Sequence, residues 1–156
     1  MRKLKNETAF QKLIRKSLSY NFLSNCHTKK NHGSQYTERG VADIDGHVGG
    51  YYVAIEAKMW NNRPSGDQIG FLRKVNNSGG LGLYMIYQYT NDEHVFHWVP
   101  GDMPFSYRMK AVWPKSGLIY TPRDPKDPEG EKIQVIDCSP LTGLIKAKRM
   151  TCKTIF

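Results

Sequence analysis

The chain is poor in cysteine, in acidic residues and in long apolar runs. Its 156 residues include three cysteines, Cys26, Cys138 and Cys152, with no C-x-x-C pair. That argues against a disulfide framework or a zinc ribbon and fits a reducing compartment. No apolar stretch approaches the length of a membrane span. The first residues, MRKLKNETAF, are basic but lack the apolar stretch of a secretory leader. The expectation is a cytoplasmic protein with no membrane anchor, acting in its own cell or, for a phage gene, in the host. Only 14 Asp and Glu stand against 23 Lys and Arg, a formal net charge of +9. Such a surplus suits a polyanionic partner, nucleic acid first and an acidic membrane surface second.

What is present is ordinary for a globular chain: 39% hydrophobic and 24% charged residues, enough for one compact domain with its own core. With carboxylates so scarce, their placement matters. The stretch Gly40–Lys58 reads GVADIDGHVGGYYVAIEAK. Two alternating runs, Val41–Asp45 and Tyr51–Lys58, flank a turn at His47-Val48-Gly49-Gly50, the pattern of a hairpin. Strand side chains alternate faces, so Asp43 and Asp45 share one face of the first run, and Glu56 and Lys58 share one face of the second. If those faces coincide, carboxylates from two strands converge beside a lysine. Such groups repel unless a cation joins them, and hard oxygen ligands suit Mg²⁺ or Mn²⁺. A metal-dependent phosphodiesterase needs such a cluster. Taken singly, an E-x-K on a strand or an Asp near a turn is ordinarily a solvated feature. The informative feature is the combination of Gly-x-x-Asp, a turn, and an apolar run ending in Glu-Ala-Lys.

That combination resembles the PD-(D/E)XK nuclease superfamily, in particular its VRR-NUC and Holliday-junction-resolvase-like branches. Gly40-Val41-Ala42-Asp43 matches the G-x-x-D form of the first motif, and Glu56-Ala57-Lys58 matches (D/E)-x-K. Ser65-Gly66-Asp67-Gln68 before an amphipathic helix, then Gly79-Gly80 and an apolar strand, continue the likeness, which spans about Glu7 to Val99. Ala42 stands where the superfamily's name has proline. The resemblance implies an α/β, restriction-endonuclease-like core, a mixed central sheet flanked by helices in the order αβββαβ. That core would occupy about residues 6–100 of a single nuclease domain, with 101–156 as an extension. It implies a metal-dependent DNA endonuclease, with branched DNA as the finer expectation and a homodimer as the source of paired cuts. Asp43 and Glu56 would hold Mg²⁺ or Mn²⁺, with the Ala57 carbonyl as a further ligand. Lys58 would orient water or stabilise the attacked phosphate. The alternative is a non-catalytic nucleic-acid-binding protein whose carboxylates are structural; the intact D…E-x-K set favours the nuclease.

Asn6–Leu18 reads as a helix, with Phe10, Leu13, Ile14 and Leu18 on one side and Lys12, Arg15 and Lys16 largely on the other. Glu7 lies on the apolar face at the N-terminal end. It is either a carboxylate suited to a helix N-terminus or, as the resemblance implies, an acidic group aimed at the metal site; the second is preferred. Ser19–Glu38 reads as an irregular polar loop whose Lys29 and Lys30, with Arg39 beyond it, suit DNA phosphates. Cys26, His27 and His32 are too few and wrongly spaced for zinc. In the loop Met59–Pro64, Arg63 suits phosphates and Trp60 suits either a base or the edge of the core. Ser65 and Gln68 form a capping box for a helix to about Asn77, stopped by Gly79-Gly80. Gln68 shares a stripe with Leu72 and Val75, so it is a cap, a neighbour of the site, or both; Arg73 and Lys74 face outward, to solvent or DNA. Asp45 is a reserve ligand or, preferably, a turn residue of Asp45-Gly46. Leu81–Gln88 and His94–Val99 read as strands joined at Asn91-Asp92, with His94 and His97 structural. Thr121–Lys132 is a loop, and Ile133–Cys138 and Leu144–Ile155 read as strands, the last a basic edge or a dimer contact.

Overall fold

The structure, a computed structural model, describes residues 2–32, 40–113 and 118–155. Helix α1 (Glu7–Phe22) starts where Asn6 caps it, the Asn6 Oδ1 accepting from Ala9 N–H at 2.9 Å. It runs one turn beyond the expected end and buries Phe10, Leu13, Ile14 and Leu18.

Strand β1 (Cys26–Lys30) follows a short 3-10 turn and corrects the reading of Ser19–Glu38 as irregular. Its residues, Cys-His-Thr-Lys-Lys, alternate between half-buried and exposed at the edge of the sheet. An edge strand needs no apolar face on both sides, and lysine there discourages pairing with other chains, so its composition conceals it. Strands β2 (Ile44–Val48) and β3 (Tyr51–Met59) form the expected hairpin. The turn is the pair Gly49-Gly50, with φ of 60° and 88°, the geometry of a two-residue turn that suits glycine.

Helix α2 (Gly66–Asn77) carries the expected capping box, and its crossover places β4 (Leu81–Thr90) parallel to β3. Strand β5 (Glu93–Pro100) returns antiparallel through Asn91-Asp92, and β6 (Met109–Trp113), which the sequence pattern did not reveal, completes the sheet. The sheet order is β1-β2-β3-β4-β5-β6. The chain thus builds an α/β fold with a mixed sheet flanked by helices, and α1-β1-β2-β3-α2-β4 is the αβββαβ succession. One side of the sheet packs Phe10, Ile14 and Leu18 against Ile44, Ile55, Met85, Phe96 and Trp98. The other packs Leu72 and Val75 against Ala42, Ala54, Tyr84, Ile86 and Val99.

Beyond the sheet, β7 (Leu118–Pro122) and β8 (Lys132–Ile136) form a separate antiparallel pair. The segment Leu144–Ile155, expected as a strand, belongs instead to helix α3 (Ser139–Ile155). Leu141 and Ile145, four apart, are buried against the α1 side of the sheet. Asp137 Oδ1 accepts from the Ser139 N–H at 3.0 Å where the helix begins. Lys146-Ala147-Lys148 imitates strand alternation, but burial of that apolar stripe decides the outcome. Two cationic side chains of α3 bond to neighbouring backbone: Lys148 Nζ donates to Asn76 O at 3.1 Å and Arg149 Nη2 to Gly49 O at 2.9 Å. Among the described residues, no helix is long and apolar enough to cross a membrane.

Candidate active site

Strand β2 begins at Ile44, so Asp43 stands one residue before the ladder, and the Ile44↔Ile55 pairing places it opposite Glu56. There the two carboxylates replace strand hydrogen bonds. Asp43 Oδ2 accepts from Ala57 N–H at 2.9 Å, and Glu56 Oε2 accepts from Asp43 N–H at 3.3 Å. Each acid is therefore fixed by the other strand's backbone. Glu56 shares a strand face with Ala54 and Lys58, on the α2 side of the sheet.

Glu56 is 1% exposed. Burial, then the charge of Asp43 beside it, pushes its carboxyl up to about 8, with Lys58 opposing. Lys58 Nζ lies 3.5 Å from Glu56 Oε1. Gln68 Nε2 donates to the same oxygen at 2.8 Å, while Gln68 Oε1 accepts from Ser65 N–H at 2.8 Å. The glutamine thus caps the helix with one end and holds the acid with the other.

Gly40 explains how α2 comes so close. Its φ is +78°, and a Cβ there would lie 2.3 Å from Asp67 O. Any side chain would push the approach to Asp43 away from the first turn of the helix that carries Gln68.

Asn31 is a residue that sequence reasoning missed. Its N–H donates to Asp43 O at 2.7 Å, and its Nδ2 donates to Ala42 O at 2.8 Å and Asp45 Oδ1 at 2.9 Å. It clamps the backbone carbonyls on both sides of the Asp43 Cα. Nothing in the local sequence signals this, because the clamp exists only once β1 pairs with β2. Asp45 is not a turn residue: it is paired with Ala54 within β2, and its Oδ2 accepts from Tyr52 Oη–H at 2.6 Å. Burial, then this carboxylate, raises the Tyr52 phenol above its usual range. Asp45 braces the hairpin beside the site.

Glu7 is half-buried, and its Oε1 accepts from Asn62 Nδ2 at 3.3 Å, in the loop that leaves Lys58. It stands near the end of β3 without bonding Asp43 or Glu56. Among the described residues no three His, Cys, Asp or Glu side chains converge as a metal cage. The donor set at the site is therefore two carboxylates and neighbouring backbone. Carboxylate and backbone oxygens of this kind fit a hard divalent cation, which would also offset the Asp43 charge that helps to raise Glu56.

The expected phosphate-binding residues are carried by several elements. Lys29 lines a cavity with His27, Asp45, His47 and Tyr52, whereas Lys30 lines another with Thr8, Gln11, Lys12 and Arg15 on the α1 side. Neighbouring residues of one strand face opposite ways. The Arg63 guanidinium donates to Trp60 O at 2.6 Å and Asn62 O at 2.9 Å, and lies 5.0 Å and 4.7 Å from the Trp60 and Phe105 ring centroids. Lys74 is exposed on α2 and lines a groove with Tyr52 and Phe71. Arg39 lies outside the described residues. His94 and His97 are buried and bonded to Tyr87 Oη and Gln88 Oε1, at 2.7 Å and 3.0 Å.

No family model and no curated protein matches this chain. Among solved structures it is similar to Hjc, a Holliday junction resolvase from the archaeal hyperthermophile Archaeoglobus fulgidus, with 16% identity and a TM-score of 0.42. That likeness covers 66% of this chain and 88% of Hjc.

Proposed function

We propose that the chain is a metal-dependent deoxyribonuclease that hydrolyses phosphodiester bonds, with Asp43, Glu56, Lys58 and Gln68 as its reacting centre. One observation carries the reading. Two carboxylates meet across the open end of a hairpin, one of them buried and held at about 8, with an ammonium and an amide on the same oxygen. A purely structural pair gains little from burying an acid against another acid.

Asp43 and Glu56 would hold Mg²⁺ or Mn²⁺, with the Ala57 carbonyl as a further ligand. When bound, the ion lowers the pKa of water and offsets charge on the phosphate. Glu56 would have to be ionised to hold the ion, and Gln68 would keep its carboxylate oriented through the Nε2 donor. Lys58 presents an ammonium to the phosphate under attack, where added negative charge develops. Water would form one P–O bond, its proton passing to solvent, while the bond to the leaving sugar oxygen breaks and that oxygen takes a proton from solvent. We assign Glu7 as an auxiliary carboxylate, supported by its contact with Asn62 beside the end of β3. The net charge of +9 supports a polyanionic substrate.

The finer reading is a homodimer that cuts branched DNA. It is supported by simple geometry: two matched cuts need two sites, and a C₂ dimer is the simplest source. The test incubates purified protein with a four-way junction, a flap, a linear duplex and a single strand, in Mg²⁺ and in EDTA, alongside a size measurement. Metal-dependent cleavage of DNA is expected, fastest on the junction. Binding without cleavage on every substrate would replace this reading with the non-catalytic one. Full activity in excess EDTA would remove the metal, and a monomer without junction preference would remove the branched-DNA refinement alone.

A further inference from the structure

The loop that leaves β3 carries Trp60 two residues beyond Lys58, and this tryptophan is 37% exposed. Its ring centroid lies 5.2 Å from that of the buried His97 and 6.1 Å from that of Phe105. In the ladder Lys58 pairs with Ile86 and Ile86 with His97, so His97 and Lys58 share one face of the sheet. Two strand spacings separate them, about 10 Å. Trp60 thus stands at the Lys58 end of the site, on the face that carries Glu56.

Two guanidinium groups complete the cluster. Arg63 lies 5.0 Å from the Trp60 centroid and 4.7 Å from that of Phe105, and Arg108 lies 4.5 Å from Phe105. Arg63 is exposed, and its Nη1 is tied to two carbonyls of its own loop, Trp60 O and Asn62 O. Among the described residues no carboxylate forms an ion pair with either arginine. A tryptophan that only covered His97 would not need a guanidinium fixed over its ring, and fixing one costs side-chain entropy. An aromatic ring beside a guanidinium plane is instead a pair of surfaces on which nucleobases stack, and the free charge suits the adjoining phosphate.

Such a surface selects by what a duplex hides. A base inside continuous duplex has a neighbour on each face. A flap base, or one at the crossover of a junction, has a face to offer. Stacking therefore favours the second kind of DNA and reads no sequence, because every base has a π-face.

We propose that Trp60 and Arg63 form a stacking platform for one unpaired base, which sets the unpaired part of a DNA substrate beside the Lys58 end of the site. The platform rests on the deoxyribonuclease reading for its place in a reaction. What it adds is a choice among DNA structures.

The test titrates the whole chain, in EDTA, with fluorescent hairpin duplexes bearing a 5′ or a 3′ single-stranded flap, while one abasic site is moved through the flap. At one position near the branch, loss of the base should weaken the parent roughly tenfold, the worth of one base stacked on an aromatic ring. Trp60→Leu should weaken the intact flap by the same factor, respond no further to the abasic site, and bind blunt duplex as the parent does. Arg63→Lys keeps the charge and removes the plane. Its exposed position preserves folding even where Trp60→Leu does not. It should shrink the penalty of the abasic site and leave the salt dependence unchanged. A parent with no sensitive flap position would overturn the proposal, as would full parental sensitivity in both variants. Neither result touches the assignment of Asp43 and Glu56, since no metal or cleavage enters the assay. Conversely, base-sensitive binding by a parent that never cleaves in Mg²⁺ would remove the nuclease reading and keep the platform.

Discussion

Replacing Glu56 by glutamine should stabilise the metal-free protein while it abolishes cleavage. In the folded chain the Glu56 carboxyl titrates at about 8, against 4.5 for a free side chain. Above pH 4.5 the unfolded chain loses this proton and the folded chain keeps it, so stability falls as pH rises and levels off above 8. At pH 7 the difference corresponds to about 3 kcal/mol, and half of that is a conservative expectation for an acid so close to Asp43. Glutamine cannot titrate. Its amide can donate to the Asp43 carboxylate as the protonated acid does and its oxygen can still accept from Gln68 Nε2, while the long 3.3 Å bond that Glu56 Oε2 accepts from Asp43 N–H is given up, a further reason to halve the expected gain. The variant should therefore melt higher than the parent in EDTA at pH 8, by roughly 3–6 °C for a gain of about 1.5 kcal/mol in a domain of this size. The gap should close toward pH 4.5. Saturating Mg²⁺ should raise the parent and leave the variant unmoved, since only the parent offers two anionic ligands. Thermal unfolding of both proteins from pH 5 to 9, with and without metal, reads all of this. A variant less stable than the parent at pH 8 in EDTA, or a gap independent of pH, would refute the placement of a protonated Glu56 at the site.

Asp43→Asn keeps size and removes the second anionic ligand, so cleavage should fall by at least about a hundredfold while DNA binding persists; wild-type cleavage by the folded variant would exclude Asp43. Asn31→Ala removes the two side-chain donors to Ala42 O and Asp45 Oδ1. It should lower kcat by roughly tenfold with little change in KM, the signature of a displaced ligand rather than lost binding, whereas an unchanged kcat in a folded variant would show that Asp43 is held without the clamp. Glu7→Gln should reduce cleavage and weaken its metal dependence with little change in Tm. A large loss of Tm at normal specific activity would mean that Glu7 serves the helix N-terminus instead.

The hairpin and α2 were legible in the sequence because their determinants are local. Gly49-Gly50 dictates a tight turn, and Ser65 with Gln68 dictates a helix start. Elements that depend on distant partners were not legible. Cys26–Lys30 is a strand because the Asn31 end of it meets Asp43 and its other residues meet β2, information absent from five mostly polar residues. Leu144–Ile155 looked like a strand because its cations alternate, yet Leu141 and Ile145 find a core that only the folded α1 side provides. The start of β2 was misplaced for a chemical reason. Alternation predicted strand from Val41, but the chain leaves the ladder at Asp43 because carboxylates take over the backbone partners there.

That departure links the fold to the proposed chemistry. A sequence that folds well tends to satisfy local preference, burial and polar pairing together, and exceptions gather where function needs them. Glu56 is such an exception: an acid at 1% exposure among the buried residues Val53–Ala57 of β3, set against another acid. Its neighbours do not relieve the conflict by removing the charge pair. They hold it in register, with Asn31 and Ala57 fixing Asp43 and Gln68 fixing Glu56. A purely structural network would gain from an amide that cannot titrate, at the loss of one bond, since an amide nitrogen cannot accept from Asp43 N–H as Glu56 Oε2 does. An acid kept there and restrained by that many donors is what the proposed metal site would use, the cation taking the place of the proton.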